Sequence, residues 1–157
     1  MNTDEVLLIE PKPQSEVNPL HSYNQGYIQG NLLVALRQQT KYSVIPTVTI
    51  DIKGTDYIPD ISIYPQREKG LLAEDLIKMT EMPLVAIEVL SPTQGTQEIL
   101  KKFKTFFEAG IQSCWLIEPV AKAVIVFSDF KNRLTFSSNE VTDEVADIHL
   151  PVGDIFG

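Results

Sequence analysis

The sequence predicts an α/β domain, and the evidence is a pair of periodicities that alternate along the chain. Short β-branched apolar runs, Val85-Ala86-Ile87-Glu88-Val89-Leu90 and Ile61-Ser62-Ile63-Tyr64, have strand length and lie next to prolines. Longer stretches repeat at helical spacing, at Leu20, Tyr23, Tyr27, Ile28, Leu32, Ala35 and Leu36, and again at Ile99, Leu100, Phe103, Phe106 and Phe107. Periodicity alone gives strands and helices in alternation and leaves the strand order open.

Residues 85–89 are apolar except for Glu88, and the run reads as a strand buried on both faces. Desolvation disfavours the charged form of a carboxylate, so Glu88 must be neutralised, paired or bound to a cation. A salt bridge or a strand end that reaches solvent is the bland explanation. Asp60, in Tyr57-Ile58-Pro59-Asp60-Ile61, opens a second apolar strand, since Pro59 is tolerated only at a strand's start or edge. Two strands therefore each carry one carboxylate. Hard oxygen ligands in that number suit Mg²⁺, which keeps several waters and takes one or two protein carboxylates.

The remaining elements follow in order. Residues 1–17 carry the apolar patch Val6-Leu7-Leu8-Ile9 before Pro11 and Pro13 and read as an arm or edge segment. Asn18 offers a helix N-cap with Pro19 at the first helical position, and the helix is expected to reach about Arg37. At ~100° per residue His21 falls on the side of Ile28 and Leu32, pointing inward or along the edge of the stripe, where a lone histidine is ordinarily a hydrogen-bonded structural residue. Residues 43–50 read as a strand, followed by Asp51 and Asp56 as solvated turn acids, and this strand and the Asp60 strand form an antiparallel pair. Residues 66–81 are charged and read as a short surface helix or an ordered loop. A helix from Thr96 to Ala109 ends at Gly110. On it Lys101 lies opposite the apolar face, and Lys102 and Lys104 sit on its two borders, so only these two can approach a buried site. Residues 111–118, 121–127 and 134–136 read as strands, and Ile148-His149-Leu150-Pro151 through Ile155-Phe156 as a last one.

The composition narrows the function. With 157 residues and 43% hydrophobic content the chain is expected to form one domain. No apolar run has bilayer length, and Met1-Asn2-Thr3-Asp4-Glu5 lacks the features of a signal peptide, so a cytoplasmic protein away from membranes is expected. Cys114, the single cysteine, cannot form an internal disulfide and reads as a small core residue. The net charge of −8 argues against a broad basic surface for nucleic acid, although bound metal and local lysines can offset acids near a site.

The order of strand, Asp60, strand, Glu88 and lysine-bearing helix, followed by Gly110-Ile111-Gln112-Ser113-Cys114-Trp115-Leu116-Ile117-Glu118-Pro119, resembles the Uma-two-type putative restriction endonuclease family, a bacterial branch of the PD-(D/E)XK nuclease superfamily. Pro59-Asp60 looks like the family's PD, and residues 87–92 like its second-acid strand. The likeness runs from His21 to Gly153-Asp154-Ile155-Phe156. The superfamily lysine normally follows the second acid by two residues, a position held here by Leu90, and Lys102 matches the lysine that the family carries on the next helix. Glu98, Cys114 and Glu118 stand where relatives show Asp, Tyr and Asp. His21 matches a histidine on the family's first helix.

The resemblance implies a restriction-endonuclease-like fold, a central mixed β-sheet flanked by α-helices. It also implies Mg²⁺- or Mn²⁺-dependent hydrolysis of DNA phosphodiesters. Asp60, Glu88 and the carbonyl of Val89 would hold the ion, Lys102 would orient water or neutralise phosphate, and His21 would assist. The alternative is a catalytically silent nuclease-like module that binds a partner or serves in a structural dimer. A Ser-His hydrolase built on Ser91 and His21 is weak, because no nucleophile elbow surrounds Ser91. Cutting both strands of a duplex is easiest for two sites related by a two-fold axis, so a homodimer is expected, through Val124-Ile125-Val126-Phe127 or the arm Val6-Leu7-Leu8-Ile9. Sedimentation at micromolar concentration checks this expectation, and a clean monomer rejects it.

Overall fold

The computed structural model describes residues 20–68 and 70–157. Helix α1 spans Tyr23–Gln39, and its N-cap is Ser22, whose side-chain oxygen accepts the Gln25 amide at 3.1 Å. The start expected at Asn18 and Pro19 is thus corrected, those two residues lying outside the described ones. Ser22 is also a good cap and is the one that meets an orphan helix amide. Gln25, Ile28, Leu32, Ala35 and Leu36 form the buried stripe. His21 precedes the cap and is exposed, so its expected place along the buried stripe is corrected too.

The strands are β1 (Ser43–Pro46), β2 (Ile50–Ile52), β3 (Thr55–Tyr57), β4 (Ile61–Tyr64), β5 (Val85–Val89), β6 (Ser113–Glu118), β7 (Ala123–Phe127), β8 (Arg133–Phe136), β9 (Glu140–Asp143) and β10 (Ile148–Pro151). Helix α2 spans Thr96–Glu108 and α3 spans Val152–Phe156. The main sheet is mixed, in the order β1-β4-β5-β6-β7-β8, with β5 and β6 parallel and the other neighbours antiparallel. The parallel pair needs a crossover, and α2 supplies it. Gly110, at φ +105°, turns the chain out of α2 in a conformation that suits glycine.

Helices cover both faces of the sheet. Ile61, Ile63, Val85, Ile87, Val89, Trp115 and Ile117 pack with Ile28, Leu32 and Leu36 of α1. Tyr64, Ala86, Cys114, Leu116 and Phe127 pack with Ile99, Phe103 and Phe106 of α2. The alternation along β5 decides where its acid goes: residues 85, 87 and 89 face α1, so Glu88 belongs to the α2 face with Ala86.

Between β1 and β4 the chain makes a hairpin of β2 and β3, whose central turn residues Lys53 and Gly54 both have positive φ, as a two-residue turn matched to strand twist requires. Asp51 and Asp56 stand opposite each other in its strands rather than in the turn itself. Asp51 accepts the Gly54 amide at 2.8 Å, and Asp56 pairs with Lys78 at 2.9 Å. The described part of residues 66–81 is an irregular loop, held by the Arg67–Glu81 ion pair and by Met79 alongside Ile50.

Two expectations near the C-terminus are corrected. Residues 152–156 do not prolong β10 but turn into α3, which buries Val152 and Ile155 and receives the Asn31 side-chain amide on the Ile155 carbonyl at 3.0 Å. Strand β7 cannot supply a dimer interface, because it is interior to the sheet with Val124, Val126 and Phe127 buried. The arm at residues 6–9 lies outside the described residues.

The β9–β10 hairpin is fastened to the sheet by Asp143, a buried acid. Its Oδ2 accepts from Ser113 Oγ and, at 2.7 Å, from Trp115 Nε1, and its Oδ1 accepts the Ala146 amide at 3.0 Å. Asp143→Ala strands these donors in the core. We expect it to lower the unfolding free energy by roughly 3 kcal/mol in urea titrations; a loss under about 0.5 kcal/mol, the size of an ordinary surface substitution, would show that the carboxylate is dispensable.

Candidate active site

The register of β4 on β5 pairs Ile61 with Ile87. Asp60 is the residue before β4, and its carboxylate reaches the Val89 amide, next in the chain to Glu88 of the neighbouring strand β5. Both are buried, Asp60 at 7% exposure and Glu88 at 1%. Asp60 Oδ2 accepts the Val89 amide at 2.7 Å, so the β5 backbone itself fixes this carboxylate. Val89, expected to contribute its carbonyl, thus meets Asp60 through its amide.

Lys102 is the third member. The apolar face of α2 is seated on the sheet by Ile99, Phe103 and Phe106, and Lys102 beside them is buried while Lys101 and Lys104 are exposed. Its Nζ donates to Glu88 Oε1 at 3.3 Å. Glu98, one turn earlier and the obvious local partner, is exposed.

Sequence reasoning missed two residues of α1. Gln25 is 2% exposed, and its Nε2 lies 3.3 and 3.4 Å from the two carboxylate oxygens of Asp60. Gln29, one turn on, donates to the Asp60 backbone carbonyl at 3.0 Å. The signal was present: Gln25 occupies the stripe that continues through Ile28 and Leu32, and a polar side chain there must find a partner inside. His21, expected at the site, is exposed just before the helix cap.

Among the described residues no three His, Cys, Asp or Glu side chains form a cluster suited to a metal ion. Two carboxylates are nonetheless enough for Mg²⁺, which completes its shell with water. The amide oxygen of Gln25 is buried without a hydrogen-bond partner, on the same side chain whose nitrogen meets Asp60. The donors are all hard oxygens, and that chemistry fits Mg²⁺ or Mn²⁺ rather than a soft metal.

A cleft of about 760 Å³ adjoins the acids at the open ends of β5 and β6. Its walls come from Ser22, Tyr23 and Asn24 at the start of α1, from Leu90 and Ser91 after β5, and from the turn after β6. Asp60, Glu88 and Lys102 do not line it; they lie beneath its edge, joined to it through Asn24-Gln25 and Val89-Leu90. Ser91 Oγ lies 3.3 Å from Thr93 Oγ1 and from Gln94 Oε1, so its neighbours do not prime it as a nucleophile. Burial, with Glu88 and Asp143 nearby, pushes the Cys114 thiol up well above its ordinary pKa, which leaves it protonated and inert.

Lys102→Ala removes the cation on which a buried carboxylate rests. Without divalent metal we expect a loss on the order of 3 kcal/mol in unfolding free energy, most of it recovered in the double variant Lys102→Met/Glu88→Gln, with Lys104→Ala within about 0.5 kcal/mol of wild type. Equal losses for Lys102→Ala and Lys104→Ala would contradict the buried pairing.

Among solved structures, a crystallised putative nuclease of the DUF820 group from Anabaena variabilis ATCC 29413 superposes with a TM-score of 0.69 at 22% identity, over 88% of this chain and 83% of that one. At that identity the likeness establishes the fold, which is restriction-endonuclease-like. No curated protein matches the chain. The family model described as Uma2, putative restriction endonuclease, matches residues 9–152, nearly the whole length, and the chain belongs to that family.

Proposed function

We propose that the protein is a divalent-metal-dependent endonuclease that hydrolyses phosphodiester bonds in DNA. The observation that carries this reading is the buried Asp60 carboxylate on the Val89 amide, one residue from buried Glu88, which is itself held by Lys102 Nζ. Two buried acids close together are unfavourable, and a cation bound to both removes the penalty. Asp60 and Glu88 would hold Mg²⁺ or Mn²⁺, with the Val89 carbonyl as a third oxygen. The bound ion would lower the pKa of its water and offset the charge that develops on phosphorus oxygens.

The chain's own residues supply the positioning. The Val89 amide and the Gln25 amide nitrogen both point at Asp60, which fixes its rotamer. Lys102 donates to Glu88 and can turn its remaining N–H donors toward a phosphate oxygen or the attacking water. His21, exposed just before α1, stands as an accessory group in this reading. Glu88, Lys102 and Gln25 sit on a strand and on helix faces, and Asp60 directly precedes β4, so the geometry of these four is held by the core.

A silent module that uses the same fold for binding is the second reading, favoured by the net charge of −8. Incubation of plasmid or oligonucleotide DNA separates the two. Cleavage is expected with Mg²⁺ or Mn²⁺ and none with chelator, and Asp60→Ala or Glu88→Ala should abolish it. Lys102→Ala, assayed well below its unfolding temperature, should lose on the order of 10²-fold in rate, while Lys104→Ala cuts as wild type does. Metal binding measured by calorimetry should fall with Glu88→Ala. Wild-type protein that neither cuts DNA nor binds the ion more tightly than Glu88→Ala would reject the nuclease reading.

A further inference from the structure

The cleft beside the carboxylates is poor in charge. Tyr23 is 82% exposed on its rim, and the Tyr23 and Tyr27 rings stack at 6.2 Å between centroids with only 16° between their planes. Val120, on the opposite wall, is 95% exposed. The charged side chain in the cleft wall is Glu118, an acid. Among the described residues no cation lines this larger cleft. A smaller adjoining hollow of about 310 Å³ shares Tyr23, Asn24 and Pro119, prolongs the apolar floor to Tyr27 and Phe156, and has Lys122 in its wall.

Large apolar groups left in water beside a polar site need an occupant with a flat, neutral face and polar edges. We propose that the cleft receives an unpaired base of the DNA strand being cut, stacked on Tyr23, with Asn24 and Gln94 facing its edge. This inference rests on the nuclease reading and names its substrate as a single-stranded or locally unpaired segment. A phosphate at Asp60 and Glu88 puts the neighbouring nucleotide at the adjoining cleft, whose volume exceeds that of one base. Stacking on an aromatic ring tolerates sequence and needs no basic surface, which an acidic chain does not offer. Tyr27, stacked beneath Tyr23, holds the outer ring in place.

The test uses the full chain and an oligodeoxynucleotide that carries the fluorescent base 2-aminopurine, single-stranded or fully paired, with Ca²⁺ in place of Mg²⁺ to slow cleavage. Wild type and Tyr23→Phe should bind the single strand, quench its fluorescence and prefer it to the duplex. Tyr23→Ala, whose exposed side chain is not needed for folding, should lose the quench and weaken binding about tenfold or more. Thermal unfolding checks that the three proteins are equally folded. Tyr23→Ala that binds and quenches as wild type does, while Mg²⁺-dependent cleavage persists, overturns the stacking proposal and leaves the nuclease reading intact. Preference for the duplex overturns it as well. Wild type that neither binds nor cuts either form overturns both.

Discussion

A strand covered on both faces has no side chain that can turn to water, and β5 is such a strand. The cost of an ion in that setting, several kcal/mol even after relaxation, has to be met from inside the fold. Glu88 is met by Lys102, which reaches it only because Ile99, Phe103 and Phe106 set the rotation of α2 on the sheet. The same contacts that build the core on that face therefore deliver the cation. Asp60 is met differently, by the Val89 amide and by Gln25, and this ties the start of α1 to the end of β5. Four elements converge on two carboxylates.

Asp143 shows what a purely structural buried acid looks like in the same chain. Its oxygens take three donors from groups that carry no charge, and it joins a hairpin to the sheet. Asp60 and Glu88 have another character. They lie close together where β4 and β5 meet, Asp60 on the Val89 amide and the buried Gln25 side chain, and Glu88 on Lys102. A fold that needed Glu88 only for stability could replace the pair with apolar residues at little cost. Keeping two like charges adjacent makes sense if a ligand neutralises them, and the chemistry of the site is read from that contrast.

Much of this could be read from the residues, and the reason is physical. Periods of two and of 3.6 record which side chains are buried, so β4, β5, α2, β6 and β7 emerge from the pattern, and with them the two acids and the border position of Lys102. What escaped are facts set by tertiary contact. Asn18 and Ser22 are both good caps, and the local sequence does not say which one meets an orphan amide. Lys102 has Glu98 one turn away, and only the packed sheet shows that it turns to Glu88. Gln25 carries a polar label at a buried position, and reading it as solvated conceals its bond to Asp60. Strand β9 escaped for a related reason, since its inward positions are Val141 and Asp143, and an acid breaks the apolar alternation that marks a strand. The corrections at His21, β7 and residues 152–156 have the same origin: helical or strand periodicity gives a direction, and the neighbours decide whether anything lies there.

The net charge of −8 sets a limit on how such a site can hold an anionic polymer. Each phosphate contact made by a lysine or arginine gains affinity through counterion release, and that gain falls as salt rises. The buried lysine is already committed to Glu88, and among the described residues the large cleft presents no cation, Lys122 lying in the smaller hollow beside it. In the proposed nuclease, binding energy would come from an ion held by the carboxylates and from apolar and aromatic surface. A site organised in this way would hold one strand at one point more readily than it would grip a duplex along its length. The exposed Tyr23 and the two carboxylates would then answer one constraint, the recognition of an anion by an acidic protein.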